Sequence, residues 1–436
     1  MLITRLRGRA LFYLLAICFF TTIFFILTLN NKRVDFFDRT PLPTQSNPNP
    51  HPIYKPARNA TAPILDNFPL AAKASSPDDL PPIPSFNRVP DPHVTENTPL
   101  FIGFTRNWPL LQQTVVSYIT AGWPPSDIYV VENTGTMNAN KLGKLTLQNP
   151  FYIDYNRLIN IFGVNVVSTP TYLSFSQLQN FYLSHAIEKA WEYYFWGHMD
   201  VLALPEEEYT NPVTGNYTSL YMRTVEDLRR VMDPDYATDE DGSPVRWAIQ
   251  FYAYDRLALV NRLAFEEVGG WDVQIPYYGT DCDMHERLFM AGFKQEESKT
   301  GLIYDIGSSL QDLLILYRRK PPINQGNSWT MSRTSPWGEE DELNSPAYQD
   351  LVRELDQMQV DKNSDARGRN TWQASQNGGK GEPYYRDPEG FEKAVHMTIE
   401  FGRKVMEEKW GHRGCALRGA GLTLGDEWRV EHDWND

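Results

Sequence analysis

The chain has 436 residues, 41% of them hydrophobic, which is enough for a large buried core. Its 55 Asp and Glu against 41 Lys and Arg give a formal net charge of −14, which argues against the basic face of a nucleic-acid-binding protein. With 12 Trp, 23 Tyr and 22 Phe it has rings for both a core and a ligand-lining groove.

Residues 11–29 are an uncharged, mostly apolar run, long enough for a helix across a hydrocarbon core of roughly 30 Å. They predict a retained signal anchor at 10–29 behind a short cytosolic tail, 1–9. A cleaved leader fits less well, because the apolar stretch is long and no small-residue cleavage site follows it. Between Pro41 and Pro92 lie 14 of the 31 prolines, so residues 30–98 read as an extended stem. Cys18 falls in the anchor. That leaves Cys282 and Cys415, whose pairing the sequence does not decide, and Asn59 and Asn216 each open a glycosylation sequon.

From residue 99 the pattern changes. Short apolar runs at 100–104, 126–132, 162–167 and 194–197 read as strands, with helical spacing at 109–121 and 177–193 between them. Alternating strand and helix predicts an α/β domain over 99–320 with a mostly parallel sheet flanked by helices. Residues 321–436 read as an extension, polar and irregular up to Asp387. It closes with a helix capped by Asp387, begun by Pro388 and stopped by Gly411, predicted to dock on the domain before it.

In such sheets, ligands sit beyond the C-terminal ends of the strands. Three strand ends are polar: Thr105-Arg106-Asn107, Glu132-Asn133 and His198-Met199-Asp200. Further on, Gly269-Gly270-Trp271-Asp272 forms a tight turn, followed by Gly279-Thr280-Asp281-Cys282-Asp283 opening a helix. Asp281 reads either as a helix cap or as a general base, which requires a positioned, ionised carboxylate. His285, one turn on, is either a surface histidine or a side chain facing the acceptor. Tyr277 and Tyr278, beside the candidate base, are candidates for an acceptor groove.

Taken together, these segments resemble the GT-A fold glycosyltransferases, most closely the family-2 nucleotide-sugar transferases, over about residues 99–310. Gln179-Asn180 corresponds to an element before the Asp-x-Asp strand, and His198-Met199-Asp200 to Asp-x-Asp with its first acid replaced. The Gly-Gly-Trp-Asp turn is then followed by Thr280-Asp281-Cys282-Asp283-Met284 and Arg287, with Thr280 where the family has Glu. The resemblance implies a Rossmann-like GT-A catalytic domain on a type II, Golgi-membrane protein with a luminal head. It further implies a nucleotide-sugar donor, a glycan or glycoprotein hydroxyl as acceptor, and an inverting transfer. Its site residues would be Asp281 as base, with Thr105, Asn107, Glu132, Asn133, Asn180 and His198 toward the donor. Tyr277, Tyr278, Asp283 and His285 would face the acceptor, and Asp200 with Asp305 would hold Mn²⁺ or Mg²⁺. The replaced first acid leaves a second reading, a non-catalytic, membrane-tethered carbohydrate-binding or scaffolding protein on a degenerate transferase fold.

Overall fold

Nine strands and seven α-helices follow one another in the computed structural model, which describes residues 52–54, 62–233, 238, 242–243, 245–319, 342–365, 370–374 and 378–434. The expected anchor at 10–29 and the Asn59 sequon lie outside these residues. Among the described residues, no helix is long and apolar enough to cross a membrane. The chain divides into two units, Met1–Asn59 and Ala60–Asp436, and every site residue discussed below belongs to the second.

The first half follows the expected alternation. Strand β1 (Leu100–Phe104) leads into helix α1 (Trp108–Thr120), then β2 (Ile128–Glu132) and β3 (Asn165–Ser168). Asn107 caps α1 by accepting from Leu110 N, and Pro109 sits in the first turn, where its missing N–H costs nothing. Helix α2 (Phe175–Glu188) starts at a Ser174–Gln177 capping box. It stops five residues before the expected end because Ala190 turns to φ 54° and Trp191 N bonds back to Ala186 O at 2.9 Å. That leaves Tyr193 free to begin β4 (Tyr193–Gly197).

Seven strands pair in the order β3-β2-β1-β4-β7-β6-β8, with β6 (Trp247–Phe251), β7 (Leu257–Asn261) and β8 (Lys294–Glu297) completing the sheet. The β1–β2, β2–β3, β1–β4 and β6–β8 pairs are parallel, whereas β7 runs antiparallel to both β4 and β6. This mixed, mostly parallel sheet is consistent with the Rossmann-like GT-A expectation. The chain leaves β1 toward β2 and β3, then returns to its other side as β4. The order therefore reverses between β1 and β4, where open α/β sheets form a crevice.

A second, two-stranded sheet pairs β5 (Val201–Leu204) with β9 (Leu302–Asp305). Helix α1, buried along its whole length, joins the two sheets. Thr114 Oγ1 donates to Met199 O at 2.6 Å, and Ser117 Oγ accepts from Ala203 N at 3.0 Å. The turn carrying His198, Met199 and Asp200 is thereby pinned to a buried helix. The register Val201↔Asp305, with Ile306 N donating to Asp200 O at 2.9 Å, then sets Asp305 beside Asp200.

Two expectations about extent change. Residues 62–98, read as stem, belong partly to the core: Phe68 and Ala71 are buried, Asn67 Nδ2 donates to Pro109 O, and Asp66 pairs with Arg157 at 2.8 Å. Asp66 and Asn67 also accept from Gln112 of α1, and Phe68 packs on Phe162 and Tyr317. The polar stretch before Asp387 is not wholly irregular either, since it contains helix α6 (Pro346–Ser364). The remaining helices are α3 (Leu220–Met232), α4 (Arg262–Glu267), α5 (Thr280–Met290) and α7 (Pro388–Trp410). As expected, α7 is capped by Asp387 and stopped by Gly411, and it docks through Ile399, Gly402, Met406 and Trp410.

Candidate active site

The β1 and β2 strand ends, expected to meet the donor, are largely occupied by contacts within the protein. Glu132 is 3% exposed and accepts from Thr134, Asn140, Tyr155 and Ser168, so its carboxylate has no free face for a ribose or base. Asn133 ties the loop at Leu173 and Thr169, and Asn107 is the α1 cap. Asn180 brackets the glycine turn, accepting from Trp271 N at 2.9 Å and donating to Trp271 O at 2.8 Å. Gly270 has to be glycine there: its φ is +72°, and a Cβ would lie 2.8 Å from Asn180 Oδ1. These four side chains hold loops in place instead of presenting themselves to a donor. Thr105 stays partly exposed beside them.

The C-terminal extension covers the same edge. Arg386 donates to the Thr134 and Gly135 carbonyls, and Arg106 pairs with Glu392. Phe391 packs against Phe151 and Tyr172. Arg106 and Glu392 were not foreseen as partners, because nothing local to either segment signals a contact across 286 positions.

At the β4 end the two expected metal ligands do converge, but a lysine lies between them. Lys362 Nζ donates to Asp200 Oδ2 at 2.8 Å, to Asp305 Oδ1, and to Ile306 O at 3.1 Å. Trp372 Nε1 donates to Asp200 Oδ2 at 3.2 Å. Among the described residues, no group of three or more His, Cys, Asp or Glu side chains is placed to hold a metal ion. As they stand, the residues present do not fit Mn²⁺ or Mg²⁺, because the space a cation would take holds an ammonium. Helix α6 buries Leu351, Leu355 and Met358 at intervals of four and three, and Lys362 is the next position on that stripe. That spacing was the available signal, since a residue continuing an apolar stripe faces the core whatever its charge.

The β6–β7 hairpin brings in three residues that the sequence reading missed: Tyr254, Asp255 and Arg256. Ala253 and Tyr254 both take positive φ, 77° and 54°, a conformation that non-glycine residues adopt at a cost of about 1–3 kcal/mol each. Asp255 Oδ2 lies 3.4 Å from His198 Nε2, and His198 Nδ1 lies 3.8 Å from Asp200 Oδ1. Burial works to lower the His198 pKa, but Asp255, Asp200 and Asp305 outweigh it and the value is raised. For Asp255, burial pulls upward, and the neighbouring His198 holds the carboxyl below its ordinary range. Trp196 stacks on the imidazole with centroids 5.5 Å apart, which fixes its plane.

The same hairpin reaches α5. Tyr254 Oη donates to Asp281 Oδ2 at 3.1 Å, and Asp281 is the partly exposed second residue of α5, whose N-cap is Gly279 at φ +94°. His285 lies one turn below, between Phe251 and Trp271, and burial holds its pKa down against the pull of Asp281 and Asp255. Tyr277 is bound through its hydroxyl to Tyr172 at 2.7 Å, while Tyr278 is exposed. A cleft of ≈ 540 Å³ opens beside the hairpin, walled by Tyr252, Ala253, Lys299, Tyr304, Asp356 and Gln359. Gln359, one of its wall residues, accepts from the Asp305 backbone N at 3.0 Å.

Asp283, expected near the acceptor, is fully buried. Its oxygens bind Arg287 Nε at 2.9 Å, Lys409 Nζ at 2.8 Å and Trp410 Nε1 at 2.9 Å. A carboxylate so enclosed has nothing left to offer an acceptor; it fastens α7 to α5. The Cys282–Cys415 disulfide ties the same two regions covalently.

No protein-family model matches the chain, and no curated protein matches it. Among solved structures, it is similar to a mannosyltransferase, PcManGT from Pyrobaculum calidifontis in complex with GDP-Man and Mn²⁺, at 12% identity and a TM-score of 0.31, over 49% of this chain and 58% of that one. It is also similar to the catalytic domain of Drosophila β1,4-galactosyltransferase 7 in complex with xylobiose, at 14% identity and a TM-score of 0.23, over 47% and 65% of the two chains. A third likeness is to a cytidylyltransferase from Leptospira borgpetersenii serovar Hardjo-bovis, at 10% identity and a TM-score of 0.27, over 47% and 76%. The chain spans less than two thirds of the first two structures' length.

Proposed function

We propose that this protein is a membrane-anchored glycosyltransferase that moves a sugar from a nucleotide-sugar donor to a hydroxyl of a glycan or glycoprotein. The observation that carries this reading is the continuous row Asp281–Tyr254–Asp255–His198–Asp200, which lies at the C-terminal strand ends beside the point where the sheet order reverses. Asp281 is the proposed base. It is partly exposed and, among the described residues, its side chain accepts from one hydroxyl, so it can take a proton from an attacking acceptor. The ≈ 540 Å³ cleft next to the hairpin is within the usual size of a small-molecule site and is the proposed place for a sugar unit. The Cys282–Cys415 bond suits an oxidising compartment and so supports the proposed luminal head of a Golgi type II protein.

The closed β1 and β2 strand ends favour a second reading, in which the domain binds carbohydrate without transferring it. Thermal unfolding separates the two. Under the transferase reading, one of UDP-, GDP- or CMP-sugars at 100-fold over its Kd stabilises the protein by about 2.7 kcal/mol, and free glycans do less. Stabilisation by glycans alone would instead favour the binding protein.

A further inference from the structure

We propose that this site handles a nucleotide's diphosphate without a divalent metal ion: Lys362 stands permanently between Asp200 and Asp305, and Arg256 meets the phosphate oxygens. The inference rests on the nucleotide-sugar reading above.

Neighbouring carboxylates on paired strands need a compensating cation, because two like charges out of water repel strongly. In this fold Lys362 supplies that charge. An ammonium has three N–H groups, and here all three are used, on Asp200, Asp305 and the Ile306 carbonyl. The side chain is 2% exposed and is carried by the helix whose apolar stripe is packed against the core. For a metal ion to reach the two carboxylates, it would have to expel this side chain and leave its ammonium buried without partners. Lys362 therefore closes the pair and does not itself touch a ligand.

Arg256 is placed differently. Its side chain is 29% exposed, its nearest carboxylate oxygen is Asp305 Oδ2 at 3.8 Å, and among the described residues its guanidinium makes no hydrogen bond. A guanidinium offers five N–H groups in a fixed fork that matches phosphate, so this head has donors to spare. Its backbone is held as well, since His198 N donates to Arg256 O and the turn before it is locked at positive φ. A positioned cation with free donors, beside a carboxylate pair whose charge Lys362 offsets in part, suits the charge that develops on a departing diphosphate.

Calorimetric titration of the full-length protein with UDP and with GDP, in EDTA and then with Mn²⁺, tests the proposal. One of the two nucleotides is expected to bind in EDTA, with Mn²⁺ changing its affinity by less than about threefold. Arg256→Gln is expected to weaken that binding by roughly 10–100-fold, the worth of charge-assisted hydrogen bonds. Lys362→Met, which keeps the stem and removes the charge, is expected to make binding depend on Mn²⁺. Should Lys362→Met fail to fold, Arg256→Gln carries the test, because its head is partly solvated. Binding seen only with Mn²⁺ would overturn the metal-free inference and leave the nucleotide-sugar reading standing. Binding in EDTA that ignores Arg256→Gln would overturn the role given to Arg256. If neither nucleotide binds in either buffer, the inference falls, and the UDP- and GDP-sugar forms of the nucleotide-sugar reading fall with it.

Discussion

Asp281→Asn is expected to lower the rate of sugar transfer by roughly 10²–10⁴-fold, the usual contribution of a positioned general base, while leaving donor affinity and the unfolding transition unchanged. The expectation follows from where the carboxylate stands. It is the second residue of α5, where unpaired backbone N–H groups favour a negative charge, and its one side-chain hydrogen-bond partner among the described residues is the Tyr254 hydroxyl. Asparagine keeps the size and can still accept from that hydroxyl, but it cannot take a proton. The loss should therefore appear in kcat, with the donor's KM little changed. Single-turnover transfer by the purified variant checks this, and near-normal turnover would remove Asp281 from the mechanism.

Asp283→Asn, two residues on, is expected to act through stability. The substitution leaves the buried cations of Arg287 and Lys409 facing a neutral amide, and breaking one side of such a network costs about 3–5 kcal/mol. For a unit the length of Ala60–Asp436 the unfolding midpoint should fall by roughly 5 °C. Below that midpoint the folded fraction should keep most of its turnover, the reverse of the Asp281→Asn pattern. A variant with an unchanged midpoint and lost activity would return Asp283 to the acceptor site. The two acids are about 200° apart around the helix, which is why neighbours of the same type have different surroundings.

Much of the fold was legible in the sequence because local pattern and tertiary role agree. The run Leu100–Phe104 is a strand, and Asp387, Pro388 and Gly411 bound α7, as expected. Gly269 and Gly270 both take positive φ, as their turn required. The chemistry was harder to read. Glu132 and Asn133 look like ligand contacts from strand-end position alone, yet Asn140, Tyr155 and Ser168 saturate Glu132, and Leu173 with Thr169 holds Asn133. Burial of a polar side chain at a strand end is decided by loops that return from far along the chain. Asp283 was separated from Asp281 by helical geometry, but its partners Lys409 and Trp410 come from the last helix. Lys362 was the most instructive miss, because its place on the Leu351, Leu355, Met358 stripe was visible and its charge concealed it.

The central claim, that this protein consumes a nucleotide sugar, is tested most directly by measuring nucleotide release against product formed. The full-length protein would be incubated with UDP-, GDP- and CMP-sugars in turn, each with a mixture of glycan acceptors. The account predicts that one donor releases its nucleotide in one-to-one proportion with a newly glycosylated acceptor, and that Asp281→Asn abolishes both signals together. A folded protein that binds glycans yet releases no nucleotide from any donor would contradict it.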